Sequence, residues 1–141
     1  VWKETYEYRS KGLYVGPPLE QLKRAYPLAD FEEDMEPEGW VCGGVETPAD
    51  VTDRARRIAG RLYREFGPSD RVALVSHAGF NGVLLGVLLG LTDPHAVKFR
   101  QANCCINALR LTDERVEVGA LNRTDHLDSI GDEQQAAGTP A

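Results

Sequence analysis

Long apolar runs, histidine and cysteine are all scarce in this 141-residue chain, and each shortage closes off a class of protein. Even the hydrophobic run from Val83 to Leu91 stops at Thr92-Asp93-Pro94, far short of the eighteen or so apolar residues that a membrane span needs. The three cysteines, Cys42 and the adjacent Cys104 and Cys105, make no C-x-x-C spacing and no even framework. Neither a disulfide scaffold nor a zinc ribbon is indicated, and a reducing cytoplasm is the expected home. The three histidines are scattered and no H-E-x-x-H occurs, so neither a metal site nor a cofactor is expected. No G-x-G-x-x-G follows a strand-like run, and Ser76 does not sit in a G-x-S-x-G elbow, which sets aside dinucleotide binding and serine hydrolysis. The opening Val1-Trp2-Lys3-Glu4 has no initiator Met, no basic segment and no cleavage site; the expectation is a fragment without a signal peptide. An excess of positive charge is also missing: the net charge of −6 argues against binding a phosphate backbone, so no nucleic-acid partner is expected.

With 42% hydrophobic and 27% charged residues, what remains fits one ordinary globular domain. The first forty residues are broken by Gly12, Gly16, Pro17-Pro18, Pro27, Pro37 and Gly39, leaving room for a short helix over Leu19 to Ala25. At Thr47-Pro48-Ala49-Asp50 the pattern changes: an N-cap Thr, a Pro at the first helical position and an Asp three residues past the cap predict a long helix. Val51, Ala55, Ile58, Leu62 and Phe66 make its apolar stripe, and Arg54, Arg57, Arg61 and Arg64 read as a solvated face until Gly67-Pro68 ends the helix. Arg71 to Ser76, rich in Val, predicts a strand buried on both faces of a sheet. An apolar helix over 78–90 follows, with Val83, Leu84, Val87, Leu88 and Leu91 on its core face; close packing against the sheet would explain Gly79, Gly82 and Gly86. Ile106 to Leu111 and Val116 to Leu121, joined by Thr112-Asp113-Glu114-Arg115, predict a hairpin, and the tail from Asp128 onward reads as frayed. Helix, strand, helix and two strands is an α/β order without internal repeats.

The stretch richest in chemistry is Val72-Ala-Leu-Val-Ser-His-Ala-Gly-Phe80, a strand-like run that passes through Ser-His-x-Gly into a helix. The start of a helix offers unpaired N–H groups and partial positive charge, which suit a phosphate, and His77 stands there. Gly79 lets a ligand approach the backbone, and an imidazole so placed can donate to a phosphoryl oxygen. A capped helix start with an incidental histidine is the competing reading of the same residues.

This stretch, followed by a helix closing on Leu-Leu-Gly, by Phe99-x-x-x-Asn103-x-x-Ile106-Asn107 and by His126-Leu127, resembles the C-terminal half of the histidine phosphatase superfamily, the phosphoglycerate-mutase-like proteins. Upstream, Gly39-Trp40, Glu46-Thr47-Pro48 and the Arg54-bearing helix resemble the elements that precede that family's long helix. The resemblance implies a three-layer α/β/α fold, incomplete at the N-terminus, with residues 1–127 as the C-terminal portion of the domain and 128–141 as a flexible tail. It implies that His77 is the second of two histidines facing one phosphate, binding phosphoryl oxygens together with the helix start at Ala78. The proton donor to the leaving oxygen would be Glu7, with Glu4 as the alternative, or either is a solvated carboxylate. Asn103 would lie near the phosphate, or else cap a turn. Arg9, Lys11 and Arg100 are further cations available to an anionic substrate, though no spacing singles them out, and His95 and His126 read as structural.

The nucleophile of that family sits in an Arg-His-Gly motif, which this sequence lacks. The expectation is therefore a phosphomonoester phosphatase working through a phosphohistidine whose nucleophilic half is outside this chain, inactive alone and with an unpaired sheet edge. A mutase and a non-catalytic phosphate-binding remnant are the alternatives. The expected partner is a small phosphorylated metabolite, a homodimer being left open, with no membrane contact.

Overall fold

The computed structural model describes residues 1–9, 14–32, 35, 37, 41–42 and 44–128. Lys11, Gly12, the Gly39-Trp40 pair and all of the tail beyond Asp128 lie outside the described residues. Two compact units emerge, Val1–Lys98 and Phe99–Ala141.

The longest element of the first unit begins where a capping pair dictates. Thr47 stays extended, its hydroxyl accepts the Asp50 N–H at 3.2 Å, and the Asp50 carboxylate accepts the Thr47 N–H at 2.8 Å. This box satisfies donors that a helix start leaves unpaired, and Pro48 next to it has no N–H to lose. Helix α2 accordingly runs over Pro48–Glu65 (α1 is the short helix Leu19–Ala25). Helix α3 spans Ala78–Leu88 and stops in a reciprocal pair of bonds: Gly90, at φ +71°, donates to the Val87 carbonyl and Leu91 to that of Gly86, each at 3.0 Å. That is a Schellman ending, which needs a left-handed residue where Gly90 stands. The core of the unit is the contact between these helices, Val51, Ala55, Ile58 and Ala59 of α2 against Phe80, Val83 and Leu84 of α3, with Trp2, Tyr8 and Leu74 packed at its margin. Each such side chain contributes roughly 1.5–3 kcal/mol when fully buried.

Two very short strands, β1 (Tyr14–Val15) and β2 (Val41–Cys42), pair antiparallel, a contact that the residue pattern does not announce. The second unit is the expected hairpin, β3 (Ile106–Leu111) with β4 (Val116–Arg123), closed by Thr112, whose N–H and hydroxyl both donate to the Arg115 carbonyl. Its register shifts between Ile106 and Leu109. Near that irregularity Asn122, at φ +54°, donates its N–H to Asn107, and Asn107 bonds Gln101.

Three expectations need correction. Residues 71–76 form no strand: no described segment supplies a ladder, and Val75 is 88% exposed while only Leu74 and Ser76 are half-buried. Without that strand the described residues make a mixed α/β arrangement with two antiparallel pairs and no parallel sheet. The glycines of α3 are consequently not explained by packing on a sheet. A Cβ at Gly86 would lie 2.8 Å from the Cα and carbonyl oxygen of Pro94, and one at Gly79 would meet Glu7. Lastly, the arginine run on α2 is not uniformly solvated, since Arg54 is 2% exposed and Arg61 is half-buried. No helix among the described residues is long and apolar enough to cross a membrane.

Because the atoms facing Gly86 are backbone and the Cβ of a proline ring, Gly86→Ala cannot be absorbed by a rotamer change. It is expected to destabilise the first unit by about 1–3 kcal/mol, the range for overpacking, read as a lower urea midpoint.

Candidate functional site

His77 is the N-cap residue of α3, with extended backbone (φ −116°, ψ 158°) and a carbonyl that accepts the Asn81 N–H at 2.8 Å. Its imidazole makes no cap bond, is exposed, and has no hydrogen-bond partner among the described residues. The segment leading to it is held by the Ser76 hydroxyl, which donates to the Thr5 carbonyl. That bond joins the approach to His77 to the chain two residues before Glu7.

Glu7 lies on the same helix end. Its carboxylate accepts the N–H of Phe80 at 2.9 Å and that of Gly79 at 3.3 Å, as well as the Tyr8 N–H at 2.7 Å. A carboxylate on the unpaired donors of a first helical turn is favourably placed in the field of the helix. The approach depends on Gly79, since a Cβ there would be 2.7 Å from Glu7 Oε1. Ala78 precedes both bonded amides, and its own N–H has no partner among the described residues. One helix turn therefore presents a free imidazole, a free amide and an anchored carboxylate. Glu4 is elsewhere occupied: Arg57 Nε donates to its carboxylate at 2.7 Å and Nη2 lies 2.6 Å away.

The Glu7 segment is held by Arg54, which reads in the sequence as part of the solvated face of α2. Arg54 Nε and Nη2 donate to the two oxygens of Glu46 at 2.8 and 2.7 Å, and Nη1 donates to the carbonyls of Glu4 and Tyr6, both at 2.8 Å. The guanidinium also lies over two rings, 3.7 Å from the Tyr6 centroid and 4.3 Å from that of Phe80. Glu46 in turn accepts the Tyr6 hydroxyl and the Arg9 N–H, both at 3.2 Å. Burial pushes the Glu46 carboxyl up, but the hydrogen bonds and charge of Arg54, with the Arg9 amide and the Tyr6 hydroxyl, outweigh it and hold the group below the usual glutamate range. A signal for Arg54 was present in the spacing: it stands three residues after Val51 and four before Ile58, on the buried stripe itself.

The remaining candidates divide by unit. His95 is tied to the start of α2, its Nε2 lying 2.9 Å from the Thr52 hydroxyl and 3.1 Å from the Pro48 carbonyl. Arg9 stacks 5.0 Å from the Tyr6 centroid. Asn103 belongs to the second unit, in an exposed turn, with Arg100 also exposed. There His126 Nε2 lies 3.1 Å from the Cys104 carbonyl.

An imidazole, an amide and a carboxylate on one helix start are groups that can bind an anion and transfer a proton. Comparison with known families bears on what kind: the family model for the histidine phosphatase superfamily (branch 1) matches residues 9–124, and the chain belongs to that superfamily. No curated protein and no solved structure matches the chain.

The Glu46 pair makes stability depend on pH in a stated direction. Since its folded-state carboxyl lies below the ordinary value, its contribution is complete above that value and is lost as pH falls through the folded one. Wild-type urea midpoints should therefore drop on acidification below about pH 4, the ordinary glutamate value. Glu46→Gln should be less stable at neutral pH by on the order of 3 kcal/mol, the cost of breaking a buried pair. Its acid limb should be flatter, with the remaining slope belonging to Glu32 and Asp50, whose carboxyls are also lowered.

Proposed function

We propose that this chain is the C-terminal half of a phosphomonoesterase that works through a phosphohistidine, on a three-layer α/β/α fold completed by a preceding segment that carries the nucleophilic imidazole. Membership of the superfamily supports phosphoryl transfer as the chemistry. The observation that carries the residue assignment is the seating of Glu7 on the helix turn that His77 opens. His77 and the Ala78 N–H bind phosphoryl oxygens and stabilise the charge that they gather in the transition state, as donors at a helix start can. The nucleophilic nitrogen attacks phosphorus, the P–O bond to the leaving group breaks with its electron pair, and that oxygen takes its proton from Glu7. Water then attacks the phosphohistidine, Glu7 takes up a water proton, and the P–N bond breaks to free phosphate. The substrate is a small phosphorylated metabolite in the cytoplasm.

The test uses the protein encoded by the complete reading frame, assayed on phosphomonoesters, with the acid-labile phosphoenzyme trapped after a pulse of labelled substrate. His77→Ala and Glu7→Gln should each lower turnover by about a hundredfold or more. The present chain alone should show no turnover. Full activity in Glu7→Gln would remove Glu7 from the mechanism; transfer of the label to a second substrate hydroxyl in place of water would assign a mutase.

A further inference from the structure

We infer that Arg54, with Glu46, is a positioning residue for the Glu7 carboxylate, an inference that rests on the role proposed above for Glu7. Two elements must be kept in register for Glu7 to stay on its helix end: the strip 4–9 that carries it, and the first turn of α3 that receives it. Arg54 binds both. On one side it takes the carbonyls of Glu4 and Tyr6 and stacks on the Tyr6 ring; on the other it stacks on the ring of Phe80, whose own N–H is bonded to Glu7. Glu46 closes the frame from beyond Glu7 by holding the Arg9 N–H, so that the backbone is pinned before and after the carboxylate.

The chemistry of the pair suits this use better than it suits stability. A buried ion pair is often no more stabilising than an apolar filling of the same volume, because desolvation offsets the attraction. Its directional demands are another matter. The fixed fork of a guanidinium satisfies one carboxylate bidentately, two carbonyls and two ring faces in a single orientation, which a lysine ammonium cannot reproduce. Displacement of a reacting group by about 1 Å is enough to cost on the order of a hundredfold in rate.

A purely structural role and a positioning role separate by leaving group. An alkyl phosphate needs its departing oxygen protonated, whereas a nitrophenolate leaves without help, so loss of a correctly placed Glu7 slows the phosphorylation step for the first substrate far more than for the second. Single-turnover release of alcohol and of nitrophenol is therefore measured in the full-length protein for wild type, Glu7→Gln, Arg54→Lys, Glu46→Gln and the core control Ile58→Val. In parallel, the amide resonances of Gly79 and Phe80 are recorded for each.

Arg54→Lys is expected to reduce the alkyl rate at least about tenfold more than the aryl rate, with KM little changed. Its Gly79 and Phe80 resonances should move toward their places in Glu7→Gln, while Ile58→Val changes neither readout. Should Arg54→Lys not fold, Glu46→Gln carries the same test. Arg54→Lys or Glu46→Gln with both rates equally affected and both amides unmoved would overturn the positioning role. An alkyl rate unaffected by Glu7→Gln would instead overturn the role of Glu7, and the inference with it.

Discussion

A guanidinium enters a protein interior only where its nitrogens find acceptors and its charge is balanced, because the cost of stripping its water is several kcal/mol. Arg54 meets that condition by drawing together three parts of the first unit that are distant in sequence: Glu46 just before α2, the carbonyls of Glu4 and Tyr6, and the ring of Phe80 in α3. The apolar contact between α2 and α3 is non-directional. The Arg54 cluster is directional, and its partners lie in three separate segments. The orientation of the Glu7 strip against α3 follows from it.

The candidate site is a consequence of that arrangement. A helix start can receive an anion from any direction that its first N–H groups allow. Here two of those groups are met from within the chain by Glu7, leaving the Ala78 N–H without a partner among the described residues and His77 exposed. In the proposed mechanism the imidazole serves the phosphate and the Glu7 carboxyl the leaving oxygen; membership of the histidine phosphatase superfamily supports phosphoryl transfer as the chemistry. Gly79 permits the arrangement at the level of a single missing Cβ, and Ser76 secures it through the Thr5 carbonyl.

What was legible in the residues alone is whatever is decided within a few positions of itself. The start of α2 was readable because Thr47, Pro48 and Asp50 settle their own hydrogen bonds, and α1 because prolines bound it closely. The hairpin was readable because alternation and a four-residue turn are local. His77 at a helix start, likewise, is written in Ser-His-x-Gly. Residues 71–76 show the limit of such reading. Their composition is that of a buried strand, but a strand exists only with a neighbour, and the described residues provide none.

The sequence by itself determined where helices begin, which faces are apolar and that a histidine opens a helix, since these depend on capping, periodicity and backbone freedom within one element. Only the tertiary structure decided that Glu7 and not Glu4 reaches the first turn of that helix, that Gly86 is demanded by Pro94, and that Arg54 on the apolar stripe is met by Glu46 and the carbonyls of Glu4 and Tyr6. The physical reason is the same in each case: these outcomes depend on hydrogen bonds and close contacts between residues up to seventy-three positions apart. Propensity within a segment carries no information about such contacts.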